Sequence, residues 1–262
     1  MTLQRSLYEW ARCTRHNLLH LRRFRIGYQQ DQWTCRFGDH ELRFPYYPYL
    51  AFQDIEGYLP DPRFIPEAGQ TVVDVGGCYG EYSLFASRLV GPTGRVIMVE
   101  PDAHNLKKAR EVLAMNGSPA NIQIFQGALS AADGTASFRT GRGPESALEP
   151  ADHRPTGELA EADAALVQVE VITLATLAER FELDRLDIVK MDVEGAELDV
   201  VRGAAQLVDT LRPRYAIASY HIVNGRQTAT LLPDLFSRLR YDCSTGNPAH
   251  LTTWAWPQAA SP

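Results

Sequence analysis

The chain has 262 residues, 45% of them apolar and 22% charged, and a formal net charge of −6. That length fits one large α/β domain with an extension. The surplus of acid speaks against a general nucleic-acid binder, whose grip rests on surplus Lys and Arg. No apolar run approaches the roughly 18–20 residues of a membrane span.

Residues 1–30 carry six Arg against one acid, Glu9. They predict a helix with a solvated basic face packed on the domain, with a membrane-surface or partner-binding helix as the alternative. Trp33, Cys35 and Phe37 alternate, turn at Gly38-Asp39 and resume at Leu42 and Phe44, which predicts a β-hairpin over 33–44. The Tyr- and Pro-rich stretch 45–64 reads equally as a substrate-facing flap or as an aromatic brace. From residue 70 strands and helices alternate: strands at 71–75, 95–100, 122–125, 166–174, 186–192 and 215–220, and helices at 80–90, 102–116, 175–182, 195–209 and 226–239. Two strands close the chain at 240–245 and 250–256. The Gly-, Pro- and Glu-rich stretch 138–165 has no period and predicts a long insertion. The expected class is α/β: a Rossmann-like, mostly parallel sheet with helices on both faces and one antiparallel edge strand. Residues 1–66 form an N-terminal extension (helix, hairpin and aromatic segment), and 67–262 form the ligand-binding domain.

Cys13, Cys35, Cys78 and Cys243 are far apart and form no CxxC pair. Neither a zinc knuckle nor a disulfide framework is expected, and a reducing, cytoplasmic setting is. The first twenty residues have no signal-peptide apolar core, which agrees.

The stretch "TVVDVGGCYGEYS" (71–83) places an Asp and three Gly where a buried strand turns into a helix. Such a turn lets backbone approach a ligand and offers free N–H groups at the helix start; a tight turn without a ligand is the bland alternative. In an open α/β sheet the ligand sits beyond the carboxyl ends of the strands. Three loops therefore matter: Asp74 to Gly80 (with Gly76, Gly77 and Tyr79), Glu100-Pro101, and Gln126-Gly127-Ala128. Glu100 ends the second strand, where a carboxylate can accept hydrogen bonds from both hydroxyls of a ribose. A dinucleotide fingerprint ending at Gly80 would need Gly at 75, which is Val, and Asp74 would repel a pyrophosphate. An anion suits a ligand with an ammonium and a sulfonium, so the pattern favours S-adenosylmethionine over NAD.

The blocks "TVVDVGGCYGEYSLFASRLVGPTGRVIMVEPD", "GALSAADG" and "LDIVKMDVEGAELDVVRGA" resemble the FkbM-type S-adenosylmethionine-dependent methyltransferases over roughly residues 70–222. The resemblance implies a seven-stranded class I methyltransferase fold and O-methylation, often of sugars or natural-product hydroxyls. It also implies that Asp74, Gly76 and Gly80 line the methionine end of the cofactor, that Glu100 holds the ribose, and that Gly127 and Ala128 lie by the adenine. Three positions depart from the family pattern: Gly77-Cys78-Tyr79-Gly80 replaces A-N-x-G, Ala175 replaces the acid of T-L-D, and Ser219 replaces the acid two residues before the final His.

Methyl transfer needs a nucleophile aligned with the methyl and, for a hydroxyl, a place for its proton. Asp192, Glu194 and His221 end two strands expected to be neighbours facing the methyl. His221, titrating near neutrality, serves as general base. Alternatively Asp192 and His221, with Glu194 or Glu197, hold a divalent cation such as Mg²⁺ or Mn²⁺. Glu197 otherwise reads as an acid complementing a helix dipole. The acceptor is a small molecule, sugar or peptide. N-methylation of an amide or amine, and a cofactor-binding partner protein that has lost catalysis, remain the alternatives. Oligomeric state stays open, a homodimer included.

Overall fold

The computed structural model describes residues 3–19, 21, 23–141, 147–148, 165–207, 210–247 and 250–259. The extension opens with helix α1 (Leu3–Leu19), followed by strands β1 (Arg25–Gln29), β2 (Gln32–Phe37) and β3 (His40–Phe44), helix α2 (Tyr49–Tyr58) and a short 3-10 turn (Pro62–Phe64). The expected hairpin is thus part of a three-stranded antiparallel sheet. β1 escapes a reading by alternation because its turn is only Gln30-Asp31, both with positive φ. Most of the stretch 45–64 is a helix entered after Pro48, which buries Phe52, Ile55 and Tyr58 on one face.

The core begins with β4 (Thr71–Val75), α3 (Glu81–Val90), β5 (Arg95–Val99), α4 (Ala103–Met115) and β6 (Ile122–Phe125). All five residues of β4 are buried, as expected of a strand covered on both faces. Asp102 caps α4 by accepting from His104 N. Short strands follow: β7 (Ala128–Leu129), β8 (Gly134–Arg139), β9 (Ala147–Leu148) and the longer β10 (Leu166–Ile172). These four make a separate sheet in the order β7-β10-β8-β9. The expected insertion therefore starts only after Arg139, and its residues 142–146 and 149–164 lie outside the described residues. Next come α5 (Leu174–Arg180), β11 (Ile188–Met191), α6 (Glu197–Gly203), β12 (Arg214–Ala218), a small hairpin of β13 (Ile222–Val223) and β14 (Arg226–Gln227), α7 (Leu232–Arg238), β15 (Tyr241–Gly246) and β16 (Thr252–Pro257). The helix expected over 226–239 begins later, because Asn224-Gly225, both at positive φ, turns the chain into that hairpin.

The main sheet has seven strands in the order β15-β16-β12-β11-β4-β5-β6. Every pair is parallel except those that β16 makes with β12 and β15. The antiparallel strand therefore stands one in from the edge, and β15 is outermost. One face packs Val73, Val99 and Met191 against α5, α6 and α7. The other packs Val72, Val96 and Ile188 against α3 and against Phe24, Phe44 and Phe52 of the extension. The chain runs outward from β4 through β5 to β6, then returns to β11 on β4's other side. The switch point thus lies between β4 and its two neighbours, where ligands enter such sheets. Among the described residues no helix is long and apolar enough to cross a membrane.

Candidate active site

Two cavities open at that point. The first is a narrow cleft walled by Gly76, Cys78, Glu100, Pro101, Ala128 and, from the small sheet, Phe138 and Leu148. The second, a wider cavity of about 490 Å³, lies against the extension and is walled by Tyr46, Tyr47, Tyr58, Gly77, Tyr79 and Tyr220, among others. Gly76, Cys78, Asp192 and Glu194 belong to both walls. The Tyr-rich segment thus builds a cavity wall and also braces α1, since the ring of Tyr49 stacks on His16.

The glycine turn is held by the protein itself. Gly76 N and Gly77 N both donate to Val99 O at 3.0 Å. Gly76 has φ 77°, and a Cβ there would lie 1.8 Å from the carbonyl oxygen of Asp192. Gly80, in the left-handed conformation, starts α3. Cys78 N donates to Glu100 Oε2 at 2.8 Å. Glu100 Oε1 accepts from Asp102 N at 2.8 Å and from Asn105 Nδ2 at 3.3 Å. Burial pushes the Glu100 carboxyl up to about 7, against the pull of those donors.

The third loop is divided. Ala128 is on the first cavity's wall, whereas neither Gln126 nor Gly127 lines a cavity among the described residues. Gln126 is exposed, and a Cβ on Gly127 would meet the Phe125 ring at 2.6 Å and Glu170 O at 2.8 Å.

Asp74 lines neither cavity. It is fully buried, accepts from Ser83 Oγ at 2.6 Å and forms an ion pair with Lys190 Nζ at 3.0 Å. Lys190 also donates to Gly76 O at 3.0 Å. Burial works against its charge, but Asp74 and Asp192 more than offset this and raise its pKa. The charge of Asp74 is therefore spent inside the fold rather than offered to a ligand's cation. Lys190→Met would strand a buried carboxylate and should cost about 3–5 kcal/mol of stability, read from urea unfolding. Adding Asp74→Asn should restore part of it; an unchanged midpoint in Lys190→Met would refute the pairing.

The expected chemical residues do converge. Nε2 of His221 lies 3.6 Å from Asp192 Oδ1 and 3.5 Å from Glu194 Oε2. Its Nδ1 lies 2.8 Å from Oε1 of Glu197, which is fully buried. Burial disfavours a charged imidazole, but Glu194, Glu197 and Asp192 outweigh it and push His221 up to about 10. At neutral pH the bare site holds an imidazolium, so the near-neutral general base expected from the sequence is corrected by its three acids. Glu197 likewise does more than complement a helix dipole.

Sequence reasoning missed two tyrosines that fix Asp192. Tyr58 OH donates to Oδ2 at 3.1 Å, and Tyr220 OH lies 3.3 Å from both oxygens. Tyr58 comes from the extension and carries no sequence mark beyond its place on the apolar face of α2. The family departures are also located. Ala175 is packed in the apolar core, where an acid would be unpaired. Ser219 Oγ donates to Leu251 O and accepts from Thr253 Oγ1, facing β16.

The profile described as "Methyltransferase FkbM domain" matches residues 74–242. A protein of Jannaschia sp. (strain CCS1), whose name assigns it provisionally to the methyltransferases, is 30% identical over 155 residues, 57% of this chain and 55% of that one. The ubiquinone/menaquinone biosynthesis C-methyltransferase UbiE of Ectopseudomonas oleovorans is 39% identical over 59 residues, 22% of this chain and 35% of that protein. The chain thus spans about half or less of the length of these curated relatives. The crystal structure of methyltransferase FkbM from Methylobacillus flagellatus KT aligns with a TM-score of 0.48 at 17% identity, covering 80% of this chain and 54% of that one. With the profile running over more than half its length, the chain belongs to the FkbM methyltransferase family.

Proposed function

We propose that the protein moves a methyl group from S-adenosylmethionine to a hydroxyl of a sugar or other small molecule. The observation that carries this reading is the meeting of two cavities at Asp192 and Glu194, with His221 behind them. The residues of the first cavity fit an adenosine: a buried carboxylate, Glu100, for the ribose hydroxyls, and the apolar surfaces of Pro101, Ala128 and Phe138 for the base. When bound, S-adenosylmethionine supplies a methyl carbon made electrophilic by its sulfonium. The second cavity takes the acceptor between tyrosine rings and presents its hydroxyl to Asp192, which Tyr58 and Tyr220 hold in place. Asp192 or Glu194 takes the hydroxyl proton as the carbon–oxygen bond forms and the carbon–sulfur bond breaks, its electron pair staying on sulfur. The charge of His221 balances the acids meanwhile. The four cysteines, all free, suit a reducing, cytoplasmic setting.

Calorimetric titration with S-adenosylhomocysteine, in EDTA, tests the donor half. Wild type should bind, and Glu100→Ala should bind at least about tenfold more weakly, an unsatisfied pair of ribose hydroxyls being worth that much. No binding at millimolar ligand would sink the reading. With Glu100 at about 7, its ionised, accepting form should grow about tenfold between pH 6 and pH 8, and affinity should rise with it. A raised carboxyl pKa works the other way on folding. The folded protein holds that proton more tightly than the unfolded chain, so its contribution is full below about 4.5 and fades as pH climbs through about 7.

A further inference from the structure

Methyl transfer from sulfonium to oxygen leaves unexplained how three carboxylates and one imidazole come to be packed so closely. The His221 side chain is only 9% exposed, and its Nε2 has no hydrogen-bond partner among the described residues. A charge-assisted bond from imidazolium to carboxylate would be about 2.7–2.9 Å long. Nε2 instead stands 3.6 Å from Asp192 Oδ1 and 3.5 Å from Glu194 Oε2. Those gaps are too long for hydrogen bonds but near the spacing of two ligands of one small ion. Two donors each about 2.1 Å from a metal lie about 3.0 Å apart at a right angle and about 3.4 Å apart at the tetrahedral angle. One ligand atom from each of Asp192, Glu194 and His221 lies within 4.8 Å of the others.

We propose that Asp192, Glu194 and His221 hold a divalent cation, with Glu197 as the positioning residue for His221. Glu197 Oε1 faces Nδ1 at 2.8 Å and accepts from Gly195 N at 3.1 Å. A carboxylate on one imidazole nitrogen fixes the tautomer and turns the other nitrogen's lone pair toward a metal. Tyr58 and Tyr220 orient Asp192 in the same manner. One imidazole with two carboxylates suits Mn²⁺ and its first-row neighbours better than Ca²⁺ or Mg²⁺, which prefer oxygen alone. Three protein ligands leave positions open, and Asp192 and Glu194 both stand on the wall of the tyrosine-lined cavity. The cation's use, though not its binding, rests on the methyl-transfer reading: it would draw an acceptor hydroxyl to the open positions and lower its pKa.

The test is Mn²⁺ binding to the full chain stripped with EDTA, followed by electron paramagnetic resonance and calorimetry without donor or acceptor. Wild type should bind one Mn²⁺ and show coupling to an imidazole nitrogen. His221→Ala should lose that coupling. Glu194→Gln, in a partly exposed loop where the fold is least at risk, should weaken binding by about tenfold or more, and Glu197→Gln by about 10–100-fold with the nitrogen coupling kept. No Mn²⁺ binding at millimolar concentration overturns the site, as does binding undiminished in both Glu194→Gln and His221→Ala. The titration of S-adenosylhomocysteine in EDTA separates the two failures. Donor binding without Mn²⁺ binding sinks the cation alone, and Mn²⁺ binding without donor binding keeps the site and sinks the methyl-transfer reading.

Discussion

His221→Ala should lower methyl transfer by about 10²–10³-fold, the range lost when a preorganised charge-stabilising group is removed from an active site, while S-adenosylhomocysteine still binds. The separation is expected because His221 lines neither cavity and reaches the acceptor site only through Asp192 and Glu194. Truncation would leave three acids facing one another, among them the fully buried Glu197, so the clustered charge would raise their proton affinity and misalign the acceptor. His221→Gln, which keeps a polar partner for Glu197, is the control for folding. Turnover is measured as S-adenosylhomocysteine released across a panel of sugars, hydroxylated small molecules and amines. Wild-type turnover in His221→Ala would remove the imidazole from the chemistry, and a wild type inert on every class would favour a partner protein that binds donor without using it.

Gly76→Ala should destabilise the fold by about 4 kcal/mol or more. Holding an L-residue in the left-handed region costs about 1–2 kcal/mol, and the new methyl must displace backbone, since Asp192 O would stand 1.8 Å away. Neither β4 nor β11 can yield easily, because they pair in register from Val72 with Ile188 to Val75 with Met191. At about 2–4 °C per kcal/mol for a domain of this size, the melting temperature should drop by about 10 °C. Gly80→Ala is the comparison. It shares the left-handed conformation but its Cβ would meet only ordinary van der Waals contacts, at 3.7 and 3.8 Å, so it should cost only the backbone strain of about 1–2 kcal/mol. Equal losses in the two variants would mean that backbone strain alone, not the Asp192 contact, demands glycine at 76.

Where one local signal sufficed, the sequence was legible. The buried runs of β4, β5 and β11 and the helices between them could be read from periodicity. Asp192, Glu194 and His221 could be placed together because two neighbouring strands end there. The failures share a physical cause, dependence on a partner distant in the chain. Asp74 looked like a group for a cationic ligand, and only the packing of β11 beside β4 reveals Lys190 as its counter-ion. Gln126 and Gly127 share a loop with Ala128, but the pairing of β7 with β10 turns only Ala128 to the cavity. The near-neutral titration expected of His221 fails because Glu194, Glu197 and Asp192, all from the segment after β11, close around it and together outweigh its burial. Tyr58 was unreadable because its partner lies 134 residues away. The Asn224-Gly225 turn, by contrast, was a legible hairpin signal that helical periodicity overrode.

The contact between Gly76 and the Asp192 carbonyl also bears on what the glycine motif can tell about relatives. A descendant that lost its donor would still have to pass β4 beneath that carbonyl, so it would keep glycine there for the sake of folding. The motif therefore records ancestry and architecture and is silent about whether a given member still reacts. Living enzymes and retired ones should instead be told apart by the partly exposed acids at 192 and 194, which stand on the walls of both cavities.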